Sequence, residues 1–318
     1  MDAPPAGAMA DRLRPLLTRT TALVLDVTDA DTAWDTPWAH SQAGAELAAE
    51  EARRPRPQTG SWPWLIAPIA ARLALRVAIE EARDFSLLLA SGTVSYAADV
   101  LCRAVLESSS LAWWLLDPYI GAEARLARTL AYRLHTALET SKAIDHLGLG
   151  ADEDRSGYGE LPEAVTQEIG CLGPNWSWKT WGRSGASVSW GEAEEEEQSW
   201  PSYTSRVEEL VRHIWPHRNM PYAVLSAVAH AELLGLARNL APPEMADRPR
   251  PAGGTDLRPA SDPTGFWLWH DAYLVLGALV FTADRAAVFL GLADQITALR
   301  TWTGALNRTL PTLRPGAA

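Results

Sequence analysis

Apolar residues recur at three- and four-residue intervals in at least six separate segments of this 318-residue chain, and no β-branched or aromatic run alternates cleanly with polar residues. A period near 3.6 puts such residues on one face of a helix, so the expected fold is all-α, a multi-helix bundle whose apolar stripes bury one another. The spacing predicts helices over about Asp11–Thr32, Ile66–Ala90, Ser95–Leu116, Ala122–Leu147 and Phe266–Asp294. Further periodicity appears at Val207, Leu210, Val211 and Ile214, followed by an almost wholly apolar segment from Tyr222 to Ala237. A Trp/Pro and charged connection leads to Pro63. Between Gly148 and Pro201 the pattern gives way to Gly, Trp, Ser and the acidic run Glu192–Glu197, with one short helix at Pro162–Ile169. Residues 148–201 therefore read as a long Trp-rich insertion, a candidate lid. Residues 241–265 read as a Pro/Gly-rich flexible linker and 311–318 as a frayed tail, all within one helical domain, 1–318.

Charge narrows the partners. The formal net charge is −11, the wrong sign for a protein whose affinity rests on neutralising phosphates, so no nucleic-acid partner is expected. Cys102 and Cys171 belong to no CxxC or Cys/His zinc spacing, which fits a reducing, cytoplasmic location. Met1–Arg14 lacks the basic start and apolar run of an export signal. The longest apolar stretch, Ala272–Ala293, is interrupted by Asp284 and Arg285, so it reads as a buried helix and no membrane span is expected. A homo-oligomer is compatible with the sequence. Tryptophan is unusually abundant, 15 residues against 7 Tyr and 4 Phe. Trp34, Trp38, Trp62, Trp64, Trp176, Trp178, Trp181, Trp190 and Trp200 flank proline, glycine or charge. They either clamp loops onto helices or wall an aromatic pocket.

Several polar groups stand out against apolar helices. In the second helix Arg72, Arg76 and Glu80 form a row at four-residue spacing, flanked by Leu73 and Val77 on one side and Leu75 and Ile79 on the other. In the third, Asp99, Arg103, Glu107 and Ser110 form a single polar seam. That seam is either a structural ion network or a pocket in which Arg103 sets the ionisation of Glu107. His230 lies among Ala, Val and Leu with Ser226 one turn back, as a core histidine or as a general acid or base. The fourth helix carries His135 and Glu139 at i, i+4, either a solvated face or a substrate contact.

Arg103-x-x-Leu106-Glu107-Ser108, Trp113-Trp114-Leu115-Leu116-Asp117-Pro118 with Arg125 and Arg128, and Tyr222-x-x-Leu225-Ser226-Ala227-Val228-Ala229-His230 together resemble a group of uncharacterised helical proteins of GC-rich bacteria. That resemblance covers Tyr96–Leu147 and Tyr222–Leu240. It implies a helical fold and singles out these positions, but brings no activity. Asp29-Ala30-Asp31-Thr32 resembles the acid motif of protonation-initiated terpene cyclases, which implies Asp31 as the proton donor and tryptophan walls that stabilise carbocations. Thr32 stands where that motif has a second consecutive aspartate, and an aspartate-rich helix terminus is the plain alternative.

Other chemistries fit less well. Glu209, His213 and His217 would align on one helix as metal ligands, but Pro216 ends such a helix near Trp215, so no metal is expected. Arg212 and His217 also match the Arg-x4-His spacing of helical ribonucleases in defence systems, a short motif that recurs by chance. The leading expectation is a cofactor-independent acid/base enzyme acting on a small hydrophobic molecule in an internal Trp-bordered pocket, a cyclase or isomerase in type. Glu107, His230, Arg103 and Asp31 would be catalytic, and Trp113, Trp114, Tyr222, His135 and Glu139 would bind substrate. The ribonuclease-type module and a noncatalytic binding or scaffold protein remain the alternatives.

Overall fold

The computed structural model describes residues 6–53, 63–91, 96–146, 162–182, 184–191, 196–216, 225 and 266–314. Ten helices and one small sheet make up these residues: α1 (Ala6–Thr28), α2 (Asp31–Asp35), α3 (Gln42–Arg53), α4 (Pro63–Ala90), α5 (Tyr96–Leu115), α6 (Ala122–His146), α7 (Pro162–Cys171), β1 (Trp176–Trp181), β2 (Gly185–Trp190), β3 (Glu196–Ser199), α8 (Tyr203–Ile214), α9 (Phe266–Leu290) and α10 (Ala293–Leu313). The helical class expected from the apolar spacing is the class observed. The contacts divide the chain into two compact units, one of residues 1–43, 71–114 and 203–318, the other of 44–70 and 115–202.

In the first unit α9 is the central element and packs on α1, α8 and α10. Leu268, Leu274, Val275, Leu276, Leu279, Val280 and Phe289 are buried along it. Trp267–Leu290 is the one helical segment among the described residues long and apolar enough to cross a membrane, and 67% of that window is buried inside the protein. Two of its three charged residues, Asp284 and Arg285, are handled locally. Arg300 bonds Asp284 at 3.0 Å, and Arg285 donates to the Trp113 carbonyl at 2.7 Å with its guanidinium 3.2 Å from the Trp113 ring centroid. Gly291, with φ +74°, ends α9 and lets the chain turn into α10.

Several boundaries differ from the sequence expectation for identifiable reasons. The first helix stops at Thr28 rather than Thr32 because its last carbonyls are taken from the side: Arg72 Nε donates to Thr28 O at 2.7 Å and Trp34 Nε1 to Val27 O at 3.0 Å. The connection before Pro63 contains α3, whose sequence is rich in alanine, a strong helix former that leaves little apolar periodicity to read. The fourth helix starts at Pro63, where a missing N–H costs nothing. The Phe266–Asp294 helix is two, broken at Gly291, and α10 continues helically through Pro311 to Leu313.

In the second unit, the stretch read as a Trp-rich insertion holds α7, where the short helix at Pro162–Ile169 was expected, and an antiparallel sheet ordered β1-β2-β3. Trp176 pairs with Trp190 and Trp181 with Gly185, while Ser187 pairs with Ser199. The strands escaped the sequence reading because tryptophans occur on both faces of β1, and all four central residues of β2 are buried, so neither shows inside/outside alternation. The acidic run supplies β3, whose charges suit an edge strand. β2 and β3 pack on α6, and α7 packs on both α6 and β1. Trp200 closes this arrangement, buried against Tyr132 and stacked 4.9 Å from His135.

Arg125 of α6 is fully buried in this unit. Its guanidinium grips both oxygens of Glu46 on α3, at 3.0 and 3.2 Å, and donates to the carbonyls of Leu115, Asp117 and Ile120. Those carbonyls lie at and just beyond the end of α5, where no following helical N–H reaches them. Replacing Arg125 by Ala leaves Glu46 buried without its guanidinium and is expected to lower stability by about 3–5 kcal/mol. In the first unit, a methyl at Gly277 of α9 would stand 2.5 Å from Ile214 Cγ2 of α8. Gly277→Ala is accordingly expected to cost about 1–3 kcal/mol through overpacking. Urea denaturation of each variant against wild type measures both losses, and a change within about 0.5 kcal/mol would contradict either account.

Candidate active site

The polar seam of α5 divides by burial. Asp99 and Ser110 are buried, while Arg103 and Glu107 are only partly covered, with side-chain exposures of 18% and 26%. Arg103 Nε donates to Glu107 Oε1 at 2.6 Å, the i, i+4 pair expected from the sequence. The next residue, Ser108, reaches the neighbouring helix and donates through Oγ to Glu81 Oε2 of α4 at 3.1 Å. Glu81, Ser108, Glu107 and Arg103 thus form one constellation within the first unit.

Glu81 is the distinctive member. Burial pushes its carboxyl up to about 7, and the negative charges of Glu107 and Asp84 add to that rise, against a lowering by the Ser108 hydrogen bond. It lines an open groove of about 520 Å3 with Leu25, Asp29, Arg76, Val77, Glu80 and Asp84. A second groove of about 510 Å3 shares Asp29 and continues over Asp26, Ala30, Asp294, Gln295 and Ala298. No described tryptophan borders either groove. A carboxyl that exchanges its proton near neutrality, at a groove with both apolar and charged walls, can serve as general acid or general base.

Sequence reasoning missed Glu81. The row Arg72, Arg76 and Glu80 drew attention to one edge of the helix, and Glu81 lies a full 100° farther round, toward the buried arc of Ala78, Ala82 and Phe85. A carboxyl adjoining three core positions was the available signal.

Other candidates fall elsewhere. Asp31, the first residue of α2, is 72% exposed and forms an ion pair with Arg72, while Asp29 bonds Arg76 at 2.8 Å. The aspartate-rich motif is therefore fastened to α4 by two arginines. Trp113 and Trp114 are buried; the Trp113 ring lies beneath Arg285 and 4.7 Å from the His213 ring, and is part of the packing of α5, α8 and α9. The His213 imidazole, which also meets Phe281 edge-on at 5.0 Å, has its pKa lowered by burial and then by Arg285. Trp34 is buried, with its indole capping α1. In the second unit His135 is buried, with Nδ1 2.7 Å from Ser184 O, and the exposed Glu139 bonds Lys142 at 3.0 Å. Hydrogen bonds from Ser184 and then Lys142 hold the Glu139 carboxyl below its ordinary value.

Helix α8 ends at Ile214, and Pro216 follows in a turn, as its sequence implies. No group of three or more His, Cys, Asp or Glu suited to a metal occurs among the described residues. Tyr222, His230 and His217 lie outside the described residues, so the expected convergence of His230 with Glu107 has no geometry here.

Glu81 makes a signed expectation about stability. Its carboxyl ionises near 7 when folded against an ordinary 4.5, so between those values the folded state binds more protons than the unfolded chain, and stability falls as pH rises. Glu81→Gln removes that slope. Relative to wild type, the variant is expected to gain stability at pH 8 and to gain much less at pH 4, as measured by denaturant titration at both values. An equal shift at the two pH values would contradict the assignment. In comparison with known protein families, curated proteins and solved structures, no match to this chain is found.

Proposed function

We propose that this protein is a cofactor-independent acid/base catalyst in which Glu81 exchanges a proton with a small molecule seated in the groove beside α4. The observation that carries the reading is Glu81 itself, a partly desolvated carboxyl with its pKa near 7 in a groove large enough for a small ligand. Burial keeps the Glu81 proton mobile near neutral pH, and Glu107, held by Arg103, adds to that rise. Ser108 orients the carboxyl by its hydrogen bond. Leu25 and Val77 offer apolar contact to a carbon skeleton, and Arg76 and Asp29 offer polar contact at the same groove.

Isomerisation suits this set. Glu81 would give a proton at one carbon and recover one from another, so the enzyme returns to its starting state without an oxidant or an added group. The proton exchange expected of Glu107 or His230, or of Asp31 in the cyclase-like reading, is here given to Glu81, while Arg103 keeps its positioning role and Glu107 takes one. The hydrophobic substrate expected from the tryptophans gives way to a molecule with both an apolar part and a polar group.

The test is proton exchange at carbon. Incubating the full chain in D2O with a panel of activated carbon acids, including β-keto esters and enones, is expected to incorporate deuterium above the buffer background. Rates should follow an ionisation near pH 7 and fall by about two powers of ten in Glu81→Gln. Glu107→Gln should retain exchange but move the midpoint of the pH profile downward, because a negative neighbour that raises the Glu81 pKa is gone. Exchange that is absent across the panel, or indifferent to Glu81, would overturn the proposal and favour a noncatalytic binding role.

A further inference from the structure

The outward face of α4 is unusual for an exposed helix. Leu73, Val77 and Leu87 are 58%, 49% and 68% exposed, and Arg76, Glu80, Arg83 and Asp84 are exposed between them. These seven residues lie at intervals of three and four, in an arc opposite the buried Ala71, Ala74, Leu75, Ala78, Ile79, Ala82 and Phe85. They form one stripe two heptads long, about 21 Å at 1.5 Å per residue. The chain as a whole carries net charge −11. The stripe carries two arginines and two carboxylates and is balanced.

Its order is self-complementary when reversed. An antiparallel copy centred on Glu80 sets Leu73 opposite Leu87 of the other copy, Arg76 opposite Asp84, and Val77 opposite the aliphatic stem of Arg83. The two Glu80 carboxylates meet at the axis, each beside an Arg83, which Glu80 already engages in its own chain. Such a pairing is isologous, as a two-fold dimer requires, and its charged pairs attract twice over. A parallel pairing would instead oppose each charge to itself.

We propose that a second copy of this chain docks on the α4 stripe, antiparallel and two-fold symmetric, with Leu73 and Leu87 as its apolar ends. A single helix pair falls short of the ~1,200 Å2 of a standard stable interface, so the dimer forms with rising concentration. Arg76, Val77, Glu80 and Asp84 also border the groove at Glu81, so the second α4 would flank that groove along one side. The dimer does not depend on catalysis at Glu81, and its test reads mass and cross-linking alone.

Sedimentation equilibrium of the full chain is expected to approach twice the 34.6 kDa monomer mass as concentration rises. Leu73→Lys and Leu87→Lys should each weaken association at least about tenfold while far-UV circular dichroism stays helical. Should either lysine variant fail to fold, cysteine cross-linking decides. In a Cys171→Ser background, with Cys102 buried, Glu80→Cys is expected to form a disulfide-linked dimer under mild oxidation. Leu73→Cys mixed with Leu87→Cys should cross-link, and Leu73→Cys alone should not, since the antiparallel copy holds like positions about 21 Å apart. Thr301→Cys, on the exposed side of α10, is the negative control. A protein that stays monomeric up to about 0.5 mM, or a dimer that neither Leu73→Lys nor Leu87→Lys weakens and Glu80→Cys does not cross-link, would overturn the proposal.

Discussion

The guanidinium of Arg125, sealed from solvent, is the point on which the second unit depends. A planar fork with five donors meets two carboxylate oxygens of Glu46 and three backbone carbonyls around the end of α5, so one side chain joins α3, α5 and α6. The adjoining turn is fastened by the same chemistry. Asp117 accepts from the Tyr119 backbone N–H at 3.1 Å and from Arg128 at 3.2 Å, and Arg128 also reaches Gln198 of β3 at 2.8 Å. The Trp-Leu-Leu-Asp-Pro run and the arginines after it therefore describe the exit of one helix and the entry of the next. A lysine could not substitute, because a point charge with three donors cannot span that set.

Long helices were legible because their burial is one-sided. α5 and α6 begin and end within a residue or two of where apolar spacing and Asp117-Pro118 place them. What periodicity could not convey was structure stabilised by something other than a large apolar stripe. Helix α3 is rich in alanine and is tied down by Glu46. The sheet buries both faces of β2, which erases alternation. The end of α1 is decided by Arg72, forty-four residues away in sequence. A local pattern carries no information about a partner so distant.

The candidate site shows the same limit at smaller scale. Arg103 and Glu107 were readable as an i, i+4 pair because both members lie on one helix. The group they influence, Glu81, lies on another, and its ionisation comes from burial at a contact between α4 and α5 that no spacing encodes. Tryptophan abundance left two readings open, loop clamps or a pocket wall, and Trp34, Trp113 and Trp200 each pack against a specific carbonyl, cation or ring. An indole buries so much area that its first use is often to hold the protein together.

Gly291 carries a consequence for how this sequence can vary. Its φ of +74° lies where side chains are strained, and an added Cβ would also approach Ser41 Cβ to 2.9 Å. Conformation and space exclude other residues independently, so relieving one constraint does not free the position. Enlarging Ser41 would crowd the same spot from the other side. Residues 41 and 291 are thus bound to one another across 250 positions of sequence: residue 41 can drift only toward less bulk, and residue 291 has nowhere to go.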